Sequence, residues 1–160
     1  MIRHAIRQLA IQTLYQMEVG KLSREEAIEN IEFMVESLKE DAIELVAEEI
    51  TPQQAMQLDS EFKLDEFYFN LVDGVLTHQE ALDKLITENL EGWSLNRLNK
   101  VDKAIIRLAT YEMSFDKEIP HKVIINEAIE LTREFSEGED GKARGFNNKV
   151  LDQISKAITE

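Results

Sequence analysis

Residues 101–151 decide the fold class of this chain, and they read VDKAIIRLATYEMSFDKEIPHKVIINEAIELTREFSEGEDGKARGFNNKVL. Apolar side chains recur every three or four residues on both sides of Pro120, which is the spacing of one buried face of an α-helix. Asn99, just before the stretch, is a residue type that caps helices, and Pro120 suits a first helical turn. The stretch therefore predicts two helices, over 99–115 and 120–135, in an all-α protein.

Helices are also predicted along the rest of the chain. The first runs from Arg3 to Val19, and a capping-box pair at Ser23 and Glu26 opens an acidic second helix. The other predicted features are helix over 27–50 with a break near Asp41, a break or new N-terminus at Thr51-Pro52, helices over 64–76 and 78–89 with Thr77 as a cap, a loop over 137–145, and a helix over 146–158. Together they predict a single domain over 1–160, a compact bundle of about seven helices.

The composition limits the classes of protein to which this chain can belong. A chain of 160 residues, of which 43% are hydrophobic, is long enough to bury one core. It has no cysteine, which excludes disulfides and cysteine-ligated zinc and fits a reducing cytoplasm. The N-terminus lacks the apolar segment of a secretory signal, and no run approaches the roughly 18 apolar residues of a membrane span. A soluble, cytoplasmic protein without membrane contact is expected.

The net charge of −14 argues at first against a nucleic-acid partner. The charge is unevenly distributed, however. Residues 18–91 carry 20 acidic and 5 basic side chains, whereas residues 1–17 carry two arginines and no acid, and residues 92–160 are nearly balanced. Both ends of the chain can therefore present a locally positive surface.

No motif points to catalysis. The three histidines, His4, His78 and His121, lie far apart and have no metal-ligand spacing, and the chain has neither a P-loop nor a GxGxxG motif. Glu112 falls at the centre of an apolar helical arc, where a carboxylate must be paired or hydrogen-bonded. We therefore expect it to have a structural role, bonded to a cation or to the end of another helix. We expect no enzyme activity, no cofactor and no metal site.

The first helix carries a mixed basic and aromatic arc. His4, Arg7 and Tyr15 share an arc that we expect to be exposed, and Arg3 lies nearby. Cations for phosphates and a ring for stacking are what single-stranded RNA binding requires. An ordinary surface with a half-buried tyrosine explains the same pattern equally well.

Two further segments carry basic residues that could contact a ligand or a partner. Lys103 and Arg107 form a basic stripe on the helix after Asn99, for which a solvated face is the simpler interpretation. The loop before the last helix brings together Lys142, Arg144 and Phe146, and its glycines permit close backbone approach to a ligand. A flexible connection whose phenylalanine packs into the core is a slightly better explanation of that loop.

The chain as a whole resembles the NusB family of bacterial transcription antitermination factors. The resemblance is carried by RHAIRQLAIQTLYQME at the start, WSLNRLNKVDKAIIRLATYEM, IPHKVIINEAIELTREF, and GFNNKVLDQI near the end. It is strong over residues 3–18 and 93–152 and weak over the acidic segment 21–62. The run INEAIEL with the preceding IPHKV is its most specific part.

The resemblance implies an all-helical fold of two packed subdomains, with no catalysis and no cofactor. It implies binding of boxA-type single-stranded RNA, as found in ribosomal RNA leaders. It also implies pairing with NusE, a small-subunit ribosomal protein, and loading onto the RNA polymerase elongation complex with other Nus factors. Members occur as monomers and as dimers, so a homodimer stays open.

The resemblance also assigns residues. It implies RNA-binding positions at Arg3, His4, Arg7, Tyr15 and Phe146, and a partner-binding position at Asp102. Lys142 and Arg144 are assigned to RNA binding as substitutes for a lysine that is common in the family. Lys103 and Arg107 of the basic stripe are assigned to partner binding beside Asp102. Asp140 lies near an acidic position of the family. The chain departs from the family pattern at His4 and Ala5, at Gly145 where lysine is common, and at Lys149 where glycine is usual.

Two other functions remain open at this point. The first is a helical protein–protein interaction module that has lost RNA binding, an interpretation that the acidic composition favours. The second is the RNA-binding part of a ribosomal RNA methyltransferase, which would require residues beyond this chain because it contains no cofactor-binding segment.

Overall fold

A computed structural model describes residues 1–136 and 141–159 of the chain. In this part of the chain the regular structure is helical throughout. The elements are α1 Arg3–Val19, α2 Arg24–Val46, α3 Pro52–Glu61, α4 Glu66–Glu88, a short 3-10 helix Leu95–Arg97, α5 Lys100–Phe115, α6 His121–Phe135 and α7 Lys142–Thr159. The all-α class and the expectation of about seven helices are confirmed, and none of these helices is long and apolar enough to cross a membrane.

Local capping explains why several helices begin where the sequence predicts. The Glu26 N–H donates to Ser23 Oγ at 3.1 Å, and the Ser23 N–H donates to Glu26 Oε1 at 3.1 Å, so the predicted capping box is formed. Thr51 caps α3 with Pro52 in its first turn. Asn99 Oδ1 accepts a hydrogen bond from the Asp102 N–H at 2.7 Å and opens α5. The predicted starts of these helices are confirmed. They could be predicted because capping depends on neighbouring residues alone.

Three predicted boundaries are wrong. Helix α2 continues through Asp41, and α4 continues through Thr77 as one helix. The buried side chains of α4 explain its continuity, because the apolar face continues past Thr77 through Leu82 and Ile86. Helix α7 begins at Lys142, so four residues expected in the loop are helical.

The chain forms two compact units, Met1–Phe69 and Asn70–Glu160. In the first unit, α1 packs against α2, and α2 packs against α3. Thr13 Oγ1 and the Tyr68 hydroxyl, both fully buried, lie 2.6 Å apart and share a hydrogen bond. Lys39 Nζ donates to Asp59 Oδ1 at 2.6 Å, and this bond holds the pKa of the Asp59 carboxyl below its usual range. The bond links α2 to α3.

In the second unit, α5, α6 and α7 pack against one another in all three pairings. Their facing sides are apolar, as the helical periodicity predicts. The fully or almost fully buried side chains of these three helices include Ile105, Ile106, Leu108, Met113, Ile124, Leu131, Leu151 and Ile154. Helix α4 approaches α5 closely at Gly74, where a side-chain carbon would overlap the Tyr111 ring. This three-helix core holds the N-terminal turns of α5 and α7 in place.

Candidate nucleic-acid interface

The two N-terminal arginines meet at one aromatic ring in the first unit. The guanidinium carbons of Arg3 and Arg7 lie 4.6 Å and 5.3 Å from the centroid of Phe67, within the range of cation–π attraction. Arg3 is exposed, but Arg7 is only 4% exposed. The expectation of an exposed arc is therefore wrong for Arg7, because the buried face of α1 is wider than one apolar stripe and includes Arg7 and Ile11.

The other two predicted residues of α1 lie apart from this cluster. His4 is half-buried, and its Nε2 lies 3.5 Å from Gln8 Nε2. Tyr15 is 38% exposed and sits eight residues beyond Arg7, roughly 12 Å further along the helix at 1.5 Å per residue. The first unit thus brings Arg3 and Arg7 together and leaves Tyr15 as a separate ring on the same helix.

A hollow of about 420 Å³ lies in the second unit, and we call it the Trp93 hollow. Its lining includes Trp93, Arg97, Asn99, Asp102, Lys142 and Phe146. The Trp93 and Phe146 rings meet edge to face, with centroids 5.8 Å apart and planes at 65°. The Arg97 guanidinium carbon lies 5.0 Å from the Trp93 centroid. Trp93 and Arg97 are not among the site residues predicted from the sequence, although a single tryptophan in a turn, followed closely by an arginine, is a signal for such a site.

The first turn of α7 carries the predicted basic residues. Lys142 and Phe146 are one helical turn apart, so they share a side of α7 and both line the hollow. Arg144 is exposed and points about 160–200° away from them at 100° per residue. The expectation that Lys142 and Arg144 lie in a loop is wrong, and the helix separates Arg144 from Lys142 and Phe146. Asp140 lies outside the described residues.

A buried polar network forms behind the hollow. Asp102, 8% exposed, accepts hydrogen bonds from Asn99 Nδ2 at 2.7 Å on Oδ2 and from Asn147 Nδ2 at 3.1 Å on Oδ1. Asn147 Nδ2 also donates to Thr132 Oγ1 at 3.0 Å. These bonds join the beginnings of α5 and α7 to α6. Asn147 lies in the GFNNKVL motif, but helical spacing alone does not indicate that it joins three helices.

The basic stripe on α5 is largely internal. Lys103 is 3% exposed, so the expected solvated face is wrong at this position. Arg107 donates through Nε and Nη2 to the two carboxylate oxygens of Asp83 at 2.7 Å and 2.8 Å. Both residues therefore serve the packing of α5, and their assignment to partner binding stays a prediction.

The structure also shows the surroundings of Glu112 and His121, two titratable residues of the second unit. Glu112 is buried, as its place in the apolar arc predicts. His121 Nδ1 lies 2.7 Å from Ser155 Oγ and its Nε2 lies 3.2 Å from the Met113 carbonyl oxygen, so its ring links α6 to α7 and α5. Within residues 1–136 and 141–159, no three His, Asp or Glu side chains form a metal-binding group.

Taken together, the fold and this geometry define an all-helical protein with basic and aromatic surfaces suited to nucleic acid. The chain belongs to the NusB family, whose pattern matches residues 4–156. It is 40% identical to the transcription antitermination protein NusB of Exiguobacterium sp. over 156 residues, 98% of each chain. It is similar to T. maritima NusB, with a TM-score of 0.69, 29% identity and coverage of 98% and 92%. A crystal structure of antitermination factors NusB and NusE in complex with dsRNA shares the fold, with a TM-score of 0.67, 24% identity and coverage of 98% and 99%.

Proposed function

We propose that this protein is a cytoplasmic transcription antitermination factor that binds boxA-type single-stranded RNA together with NusE. With other Nus factors it acts on the RNA polymerase elongation complex. The proposal rests on full-length membership of a family whose relatives are named transcription antitermination proteins. The geometric observation that carries it is the grouping of Arg97, Lys142 and two aromatic rings around one hollow of an otherwise acidic chain.

The RNA contacts that we propose fall on two helices. On α1, Arg3 takes a phosphate, and His4 and Tyr15 offer rings. Arg7 is too buried to meet a phosphate directly, so we assign it the role of holding Phe67 beside Arg3. On α7, the proposed contacts are Lys142, Arg144 and Phe146.

The partner surface that we propose for NusE surrounds the N-terminal half of α5. Both carboxylate oxygens of Asp102 already accept internal hydrogen bonds, so this residue acts by shaping the surface. Lys103 and Arg107 support it from inside, because Lys103 is buried and Arg107 is paired with Asp83. Few cations face the RNA, so binding by the protein alone is weak and salt-sensitive, and NusE supplies much of the affinity.

Fluorescence anisotropy with labelled boxA RNA and a scrambled control, with and without NusE, tests the proposal. We expect a preference for boxA that NusE strengthens. Arg3→Gln and Arg144→Gln should each weaken binding and reduce the slope of log affinity against log salt by about 1. Lys156→Gln removes the same charge from the far end of α7 and should change affinity less than twofold.

Two results would contradict this proposal in different ways. Equal binding of boxA and scrambled RNA, with and without NusE, would favour a helical protein–protein interaction module without RNA specificity. Crosslinks from labelled boxA RNA only to peptides outside α1, α7 and the segment 93–97 would overturn the site assignment while leaving RNA binding intact. Peptide mapping after ultraviolet crosslinking distinguishes these two outcomes.

A further inference from the structure

The Trp93 hollow is large enough to hold one small ligand. Its volume of about 420 Å³ falls within the roughly 300–1,000 Å³ of small-ligand sites. Trp93 keeps 46% of its surface exposed although it contacts both Phe146 and Arg97. An exposed aromatic ring is a surface on which an unpaired base can stack.

More basic than acidic side chains line the hollow, whereas the chain as a whole is acidic. Its lining contains two exposed cations, Arg97 and Lys142, and one acid, Asp102. The two carboxylate oxygens of Asp102 each accept a hydrogen bond from a neighbouring amide, which lowers its repulsion of an anion at the rim. In a protein of net charge −14, a positive rim around two aromatic rings complements a ligand that is aromatic and carries phosphate.

Buried hydrogen bonds hold the α7 wall of the hollow in place, which favours binding to a preformed site. Asn147 follows Phe146 directly, is fully buried, and hydrogen-bonds to Asp102 and Thr132. These bonds hold the second turn of α7 against α5 and α6, so this wall needs little ordering when a ligand enters.

We propose that the Trp93 hollow binds one unpaired base of an RNA strand, stacked on Trp93 with its edge towards Phe146, and with its flanking phosphates on Arg97 and Lys142. This inference rests on the proposed single-stranded RNA binding and adds Trp93 and Arg97 to its contacts. A base in a duplex stays stacked on its neighbours and does not enter such a hollow. The site therefore selects single-stranded RNA over double-stranded RNA of the same sequence.

Trp93 is the single tryptophan of the chain, so its fluorescence reports on this site directly. We expect unlabelled boxA RNA, added to the protein alone at low salt, to quench Trp93 with the midpoint that anisotropy gives. An RNA series with one abasic nucleotide at successive positions should include one position at which quenching is lost. The duplex of the same sequence should leave the fluorescence unchanged.

Variants of the site distinguish a loss of base stacking from a loss of folding. Trp93→Ala should weaken RNA binding about 5- to 100-fold, the range expected for loss of one base stack, and Trp93→Phe should restore most of it. Arg97→Gln keeps the fluorophore and should shift the quenching curve to higher RNA concentration. Phe33→Ala removes an exposed ring from the other unit and is the matched control, expected to bind as the unaltered protein. Circular dichroism checks that each variant is folded.

The outcomes distinguish this inference from the proposed function. RNA binding by anisotropy without any change in Trp93 fluorescence, or with Trp93→Phe as weak as Trp93→Ala, overturns the base site and leaves the proposed function standing. Equal quenching by duplex and single strand also overturns it. Absence of RNA binding by anisotropy, with and without NusE, overturns both.

Discussion

The side-chain amide of Asn147 donates a hydrogen bond to Oδ1 of Asp102 across 3.1 Å, and this bond joins the second turn of α7 to the first turn of α5. Its second proton is donated to Thr132 on α6. Three helices of the second unit therefore meet at one fully buried side chain. Phe146, the residue before Asn147, lines the Trp93 hollow, so the position of that ring depends on the buried network behind it.

Replacing Asn147 with alanine should lower the free energy of unfolding by about 1.5–3 kcal/mol, because a buried carboxylate loses one of its donors. Urea denaturation followed by circular dichroism measures the loss. Asn148→Ala makes the same chemical change at the next, exposed position and should cost no more than about 0.5 kcal/mol. Equal losses for the two variants would show that the network contributes nothing.

Gly74→Ala tests the close approach of α4 to α5. Alanine favours a helix over glycine by about 1 kcal/mol, yet its methyl group would overlap the Tyr111 ring and overpack the contact. We expect a net destabilisation of about 1–2 kcal/mol in urea denaturation. Gly145→Ala, inside α7 with open space around the new methyl group, should instead stabilise the protein by about 0.5–1 kcal/mol. Stabilisation at both positions would contradict the close contact.

The Arg107–Asp83 pair should not tolerate lysine. Arginine binds this carboxylate through two nitrogens, and its side chain is only 11% exposed, so Arg107→Lys loses a bond that a single ammonium does not replace. We expect a loss of about 1–3 kcal/mol in thermal and urea unfolding. Arg133→Lys alters a pair with Glu130 in which both side chains are about half exposed, and should change stability by less than about 0.5 kcal/mol. A larger effect at Arg133 would reverse this ranking.

Tyr111 should ionise later than a free tyrosine. Burial raises the pKa of its hydroxyl above the usual value, and the nearby charges of Asp116 and Glu112 raise it further. The folded state thus keeps its proton while the unfolded state releases it, so this group's contribution to stability is complete below pH about 10 and is lost as the pH rises above it. Tyrosinate absorbance of the unaltered protein minus that of Tyr111→Phe measures the ionisation. A difference curve centred at or below pH 10 would contradict the expectation.

Features that depend on adjacent residues could be predicted from the sequence. The bounds of α1, the capping box at Ser23, the cap at Thr51 and the cap at Asn99 are local, and all four are formed. The prediction that Thr77 caps a new helix is wrong. Threonine is a good cap, but α4 continues through it because buried side chains on both sides hold the helix together. Tertiary packing outweighed the local preference there.

The residue types of the candidate site were also predictable, whereas their exposure was not. Arginine, lysine and aromatic residues at the two ends of the chain follow from the chemistry that RNA requires. The burial of Arg7 and Lys103 depends on what packs over α1 and α5, which helical periodicity does not specify. An arginine or lysine is normally exposed, so sequence reasoning assigned both to the surface.

The all-α class, the ends of most helices and the family could be predicted from the chain, because hydrophobic periodicity, capping and motif spacing depend on residues close together in the sequence. Which side chains meet across the fold depends on how the helices pack. Trp93 and Phe146 are far apart in the chain and form one wall, and Asp102, Thr132 and Asn147 come from three helices to form one network. Such contacts arise from the packing of whole helices against one another, and that packing reflects the combined burial of many side chains.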